Sequence, residues 1–164
     1  MRVTGSCLSA AALIFVAARA QAQVTESTKT LTLQGAKAVA AAAAAEAKKG
    51  NEGASVAIVD EGGNLMYLER MQPTFPMGAT IATEKAKTAA LFRKPTKILE
   101  DAIVAGRTPL LNAWSAPLNG GEPIIVDGQI VGAVGVSGAS NAARDAAIAL
   151  AAAGALSGTT SAGK

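Results

Sequence analysis

Two kinds of apolar pattern alternate along this chain. Short runs rich in β-branched residues double back across polar turns, and longer alanine-rich stretches repeat with a helical period. Ile124-Ile125-Val126 and Ile130-Val131 flank Asp127-Gly128. Asp-Gly between such arms predicts a two-residue hairpin, because both central residues of a type I′ turn need φ > 0. Ala54 to Val59, the loop Asp60 to Asn64 with its two glycines, and Leu65 to Arg70 predict a second hairpin with a longer turn. Four helices are expected around them. Leu31 to Lys49 contains the run Ala40 to Ala45, and Lys48-Lys49 before Gly50 suits a helix C-terminus. Met77 to Phe92 places Ile81, Ala82, Ala86, Ala89 and Ala90 on one face. Thr96 is expected to cap a helix running to about Ala105 and ended by Gly106. Ser140 or Asn141 caps the last helix, Ala142 to Ala153, with Gly154 as its stop. Between Pro109 and Pro117 the pattern predicts a loop with a short extended piece.

The order is helix, hairpin, two helices, hairpin, helix. Hairpins mean antiparallel pairing, so the fold class is α+β: one domain with a central antiparallel sheet built from two hairpins and flanked by helices. Gly132, Gly135 and Gly138 leave the second arm of the later hairpin short of side chains. In a strand this marks close approach of another backbone or a ligand. Packing or an oligomer contact is the first reading of the series, and anion binding the second. No Gly-Lys-Ser/Thr follows and no parallel strand–helix–strand unit is predicted, so a nucleotide cradle is disfavoured against a small carboxylate.

The first residues read as an export signal. Met1-Arg2 is a short positive region, Cys7 to Ala18 is apolar but too short to span a bilayer, and Ala18-Arg19-Ala20 and Ala20-Gln21-Ala22 both fit a cleavage site. Residues 1–22 are therefore assigned to a signal peptide, 23–30 to a flexible arm, 31–156 to the domain and 157–164 to a disordered tail. The expected location is periplasmic or secreted, with no membrane anchor after cleavage. Arg2 and Arg19 leave with the leader, so 15 basic residues become 13 against 12 acidic ones. That balance carries no nucleic-acid footprint. The single cysteine, Cys7, leaves too, so no disulfide is expected. The chain has no histidine. This excludes Ser-His-Asp and Cys-His catalysis, His-ligated zinc and a haem held by the chain's own histidine. No metal site is predicted.

Several blocks resemble the GlcG/HbpS family, also met as the C-terminal domain of PduO proteins. They are Val56 to Asp60 with Gly63-Asn64-Leu65, Glu84-Lys85 to Ala90 with Phe92 and Pro95-Thr96, and Gly120 to Gly128 with Val131-Gly132, Gly135 to Gly138 and Asp145. They recur in order from about Leu31 to Ala155. The resemblance implies a central antiparallel sheet, a homo-oligomer between tetramer and octamer, and a small-molecule ligand. Haem is the inherited candidate. An enzyme or sensor acting on a small organic acid is the alternative.

Arg93, Gly120, Gly121 and Gly138 are the candidate ligand-binding residues. Lys85, Lys87 and Arg93 read first as a solvated face. If they turn toward the Gly120-Gly121 loop, they can pair with the carboxylates of an organic acid or of haem. Glu84, Lys85 and Asp145 are the candidate catalytic residues. Asp60 and Asp127 are expected to serve turns, Asp145 sits where a helix dipole favours an acid, and Glu122 is a further carboxylate read as structural. Met66, Tyr67, Met71 and Met77 are the candidate haem axial donors, and all but Met77 fall within or just after the first hairpin. Methionine more often fills core gaps.

Overall fold

The computed structural model describes residues 27–113 and 116–158. The expected leader, residues 23–26 of the arm, Trp114 and Ser115 of the connection, and residues 159–164 of the tail lie outside them. Strands β1 (Ser55–Asp60) and β2 (Leu65–Arg70) form the first hairpin, and β3 (Gly121–Val126) and β4 (Gln129–Ser137) the second. They make one antiparallel sheet in the order β2-β1-β4-β3. The apolar central strands β1 and β4 are buried, and β2 and β3 are edges. Both turns use the expected chemistry. Asp127 and Gly128 have φ of 48° and 75°. The Asp60 carboxylate accepts from the backbone N–H of Gly62 at 2.9 Å and of Asn64 at 2.8 Å. The first hairpin has a slip the pattern did not show. Ile58 pairs with Tyr67 but Val59 with Leu65, so Met66 is the extra residue of a bulge.

Helices cover both faces. Helix α1 (Leu33–Lys49), capped by the Thr32 hydroxyl, and α4 (Ala142–Ala153), capped by Asn141, lie on one face. Val39, Ala43, Ile148 and Ala152 there meet Val56, Ile58, Ile124, Val134 and Val136 from the strands. Helix α2 (Gly78–Phe92) lies on the other face, where Ala82, Ala86, Ala89 and Ala90 meet Ala57, Val59 and Ala133. This second layer is thin because it is nearly all alanine. Gly135 makes it thinner still, since a Cβ there would overlap the carbonyl oxygen of Ala82. The glycine is required by contact between helix and strand, which is the packing reading of the series.

Two local expectations change. Thr96 does not cap α3 (Thr96–Val104); Pro95 holds that position. Its buried hydroxyl instead accepts from Gly121 N–H at 2.9 Å and donates to the Leu118 carbonyl at 2.7 Å. The side chain thus joins α3 to the start of β3. Among its described residues the connection before β3 holds a 3-10 turn over Thr108–Asn112 and no strand. Gly154 is the C-cap of the last helix as expected, and the chain then tightens into a 3-10 turn over Gly154–Leu156. Residues of the arm within the structure are tethered. Lys29 N–H donates to the Gln129 side chain at 3.0 Å, its ammonium pairs with Asp127, and Thr30 donates to Glu61 at 3.1 Å. One short segment thereby holds both hairpin turns.

Candidate functional site

At the end of the sheet opposite the turns, Gly120 and Gly121 open the way for a lysine. Lys85, on α2, extends past them to the other face. Its ammonium donates to the Val136 carbonyl at 2.8 Å and pairs with the Asp145 carboxylate of α4 at 2.9 Å. The second Asp145 oxygen accepts from Ala139 N–H at 3.0 Å. Both residues are buried, at 3% and 7% exposure. Gly120, at φ +112°, permits this, because a Cβ would come within 3.1 Å of the ammonium and 3.0 Å of the Asp145 Cβ. Gly121 lies under the backbone of Lys85 in the same way.

This geometry corrects one sequence expectation. Lys85 is not on a solvated face. Gly120 and Gly121 are glycine because the protein's own atoms approach them closely, Asp145 and Lys85 at the first and Lys85 and Thr96 at the second. The two catalytic candidates Lys85 and Asp145 are thus paired with one another and buried. Glu84, the third catalytic candidate, is paired at the surface with Lys87 at 2.9 Å. Gly138 lies elsewhere, beside Thr74 and on the rim of a cavity of about 240 Å³ with Asn51, Glu52 and Gly53.

A larger groove, of about 350 Å³, wraps the free edge of β3. Arg93 and Lys94, just past the end of α2, stand on one side, and Leu150 of α4 on the other. Ile125 and Ile130 supply apolar floor, and Glu122 adds a carboxyl. Arg93 turns the chain there in the left-handed conformation, φ 55°, where glycine is usual. Among the described residues neither Arg93 nor Lys94 is in an ion pair, and Glu122 has no partner either. Burial without compensation pushes the Glu122 carboxyl above the ordinary glutamate range. An apolar floor beside two uncommitted cations suits a ligand with an apolar body and a carboxylate edge. Of the sequence candidates only Arg93 lines this groove. Glu122 had been read as structural, and Lys94 and the apolar lining were missed. Pro123 was the available signal, because proline within a strand marks an edge.

The methionines and the tyrosine do not converge there. Met66, Tyr67 and Met71 pack against the core under α1, and Met77 is exposed at the start of α2. Among the described residues no group of three or more carboxylates, histidines or cysteines could hold a metal ion. None of the described helices is long and apolar enough to cross a membrane.

The sheet with helices on both faces, an alanine-lined helix seated on glycine and a groove along one edge define a small α+β domain. The chain belongs to the HbpS-like family: residues 31–154 match the family described as "Haem degrading protein HbpS-like". It is 49% identical over 92 residues to protein GlcG of Escherichia coli K12, covering 56% of this chain and 69% of GlcG. The fold is similar to the crystal structure of HbpS, with a TM-score of 0.74 at 31% identity over 84% of this chain and 97% of that one. It is also similar to a PduOC–haem complex, with a TM-score of 0.69 at 26% identity over 77% and 95%.

Haem is the group this family implies. Arg93 and Lys94 in the groove offer charge partners for its carboxylates. The donor set does not suit axial ligation in the groove, since the chain has no histidine and none of Met66, Tyr67, Met71 or Met77 lines it.

Proposed function

We propose that this protein is an exported, oligomeric binding protein for an amphiphilic carboxylate of tetrapyrrole type, seated in the groove along β3. The observation that carries this reading is the pair Arg93 and Lys94, uncommitted cations beside an apolar floor. A haem-bound structural relative and a family described by haem chemistry support the choice of tetrapyrrole. Binding rests on the carboxylates and the apolar body, not on iron. Hemin and metal-free protoporphyrin IX are therefore expected to bind the mature protein with similar affinity. Arg93→Ala with Lys94→Ala is expected to weaken both about tenfold, the size of a lost charge-assisted contact. Met66→Ala and Met71→Ala leave both unchanged. Binding of hemin alone, lost with a methionine, would overturn this mode, and so would porphyrin binding indifferent to the two cations.

Export rests on the leader pattern, and a mature chain beginning at Gln23 is the expected product in the periplasm or medium. Mass spectrometry of the processed protein tests this. Oligomerisation is supported by exposed Leu65 and Leu68 on edge strand β2 and Leu91 on α2. Light scattering after size exclusion reads the assembly, and a Leu68→Glu variant is expected to shift it toward smaller species. The organic-acid reading uses the same groove. Its support is the unpaired Glu122, a half-buried carboxyl in the groove whose proton affinity burial raises, as acid–base sites often have. A thermal-shift screen of small carboxylates tests it, because a ligand of the native state raises the melting temperature.

A further inference from the structure

We propose that Glu122 makes the groove acid-responsive: an amphiphilic anion that covers it binds together with one proton, taken up by this carboxyl. The inference rests on the groove being the binding site.

Glu122 stands on β3 within the groove, half-buried and without a hydrogen bond or ion pair among the described residues. The charges on every element around it are accounted for. On α2, Lys85 is bound to Asp145 of α4, and Lys87 pairs with Glu84. The other charge of α4, Arg144, is held by Glu46 and Glu52. On α3, Lys97 pairs with Asp101, and Glu100 accepts from Asn119 N–H at 3.3 Å. Strand β4 carries no charged residue, and Asp127 in the turn pairs with Lys29. Among the described residues, Arg93 and Lys94 are the charged groups that line the groove with Glu122.

In the empty groove Glu122 keeps part of its contact with water. A ligand lying on Ile125, Ile130 and Leu150 removes it, and burying an ionised carboxylate with no partner is costly. The ligand's own anion also repels a second negative charge. Both effects favour the protonated carboxyl in the complex over the free protein. The raised proton affinity caused by burial already points the same way. A group that holds its proton more tightly in the complex makes binding tighter as pH falls, by up to tenfold per unit for one proton. The dependence flattens once Glu122 is protonated in the free protein too.

The test needs a ligand whose charge does not titrate. The fluorescent probe 8-anilinonaphthalene-1-sulfonate keeps its sulfonate charge across the range and has an apolar body. Its affinity for the mature protein is measured from pH 8 to 5, with circular dichroism at each pH to confirm the native fold. Wild type is expected to bind more tightly as pH falls, approaching tenfold per unit over the steep part. Glu122→Gln and Glu122→Ala are expected to bind at pH 8 as wild type does in acid, with a flat profile. Protoporphyrin IX is expected to displace the probe, and Arg93→Ala with Lys94→Ala to weaken it at every pH. A probe sensitive to the two cations but with a flat wild-type profile overturns the role of Glu122 and leaves the groove standing. So does a slope retained in Glu122→Gln. A probe that does not bind, or ignores Arg93 and Lys94, overturns both.

Discussion

The Lys85 ammonium lies 2.9 Å from the Asp145 carboxylate, so a helix on one face of the sheet is tied to a helix on the other. The link passes the ends of β3 and β4, where Gly120 leaves room for it. Each charge has a second partner in the backbone, Val136 for the lysine and Ala139 for the aspartate. A buried pair so satisfied is weak grounds for net stability over an apolar replacement, but breaking it strands a charge. Lys85→Met or Asp145→Leu alone is expected to cost about 3–5 kcal/mol, and the double variant less than the sum. Urea denaturation of the four proteins reads the coupling. Single variants within about 1 kcal/mol of wild type would show that the pair is not a lock.

Gly135 and Gly154 should respond oppositely to the same added methyl. At Gly135 the new Cβ would overlap the Ala82 carbonyl oxygen and come within 2.5 Å of the Ala86 amide nitrogen. Both are backbone atoms, so α2 must lift from the sheet. Gly135→Ala is expected to lose about 1–3 kcal/mol or more, as overpacked sites do. At Gly154 nothing lies within 4 Å and the backbone is already helical, with φ −73°. Gly154→Ala is expected to stay within about 0.5 kcal/mol of wild type. Thermal melts of the two variants make the comparison.

Thr96 offers a sharper test of a single hydroxyl. It satisfies Gly121 N–H and the Leu118 carbonyl together, both beside the start of β3. Thr96→Val keeps the shape and removes both bonds, with an expected cost of about 1–3 kcal/mol for the buried groups left bare. Thr96→Ser is expected to retain most of the stability. If valine and serine perform alike in chemical denaturation, the methyl and not the hydroxyl holds the junction.

The elements were legible in the sequence because each carries its own local signal. Asp127-Gly128 can turn only one way, and the period of Ala82, Ala86 and Ala89 leaves one face to bury. What escaped is what depends on long-range placement. Lys85 looks like any surface lysine until Asp145, sixty residues later, comes to lie beneath it. Gly120 and Gly121 announce close approach without saying whether a ligand or the chain itself approaches. Thr96 has the composition of a cap but serves a strand 25 residues away. The groove was hidden for the same reason. It is assembled from the ends of α2 and α4 and the edge of β3, and only Arg93 among its members had a reason to be singled out in advance.

Two carboxyls should shape the acid stability of the fold in opposite senses. Burial raises the proton affinity of Asp60, but hydrogen bonds from the Asn64 side chain and from backbone N–H groups of Asn64, Gly62 and Gly63 outweigh it, and its pKa falls below the ordinary aspartate value. Folded Asp60 thus holds fewer protons than the unfolded chain does. Its contribution is complete above the unfolded value and is lost as pH falls through the folded one. Glu122 is raised by burial alone, so the folded state holds the extra proton. Its ionised form therefore opposes folding at neutral pH, and that penalty disappears as pH falls through the folded value toward the unfolded one. Glu122→Gln is expected to raise the melting temperature at pH 7 by an amount that shrinks to nothing in acid. Asp60→Asn is expected to lower it at pH 7 and to converge on wild type only below the ordinary aspartate range. Calorimetric melts from pH 3 to pH 8 separate the two. A Glu122→Gln shift that grew with acidity would mean that this carboxyl is stabilised as an anion in the fold.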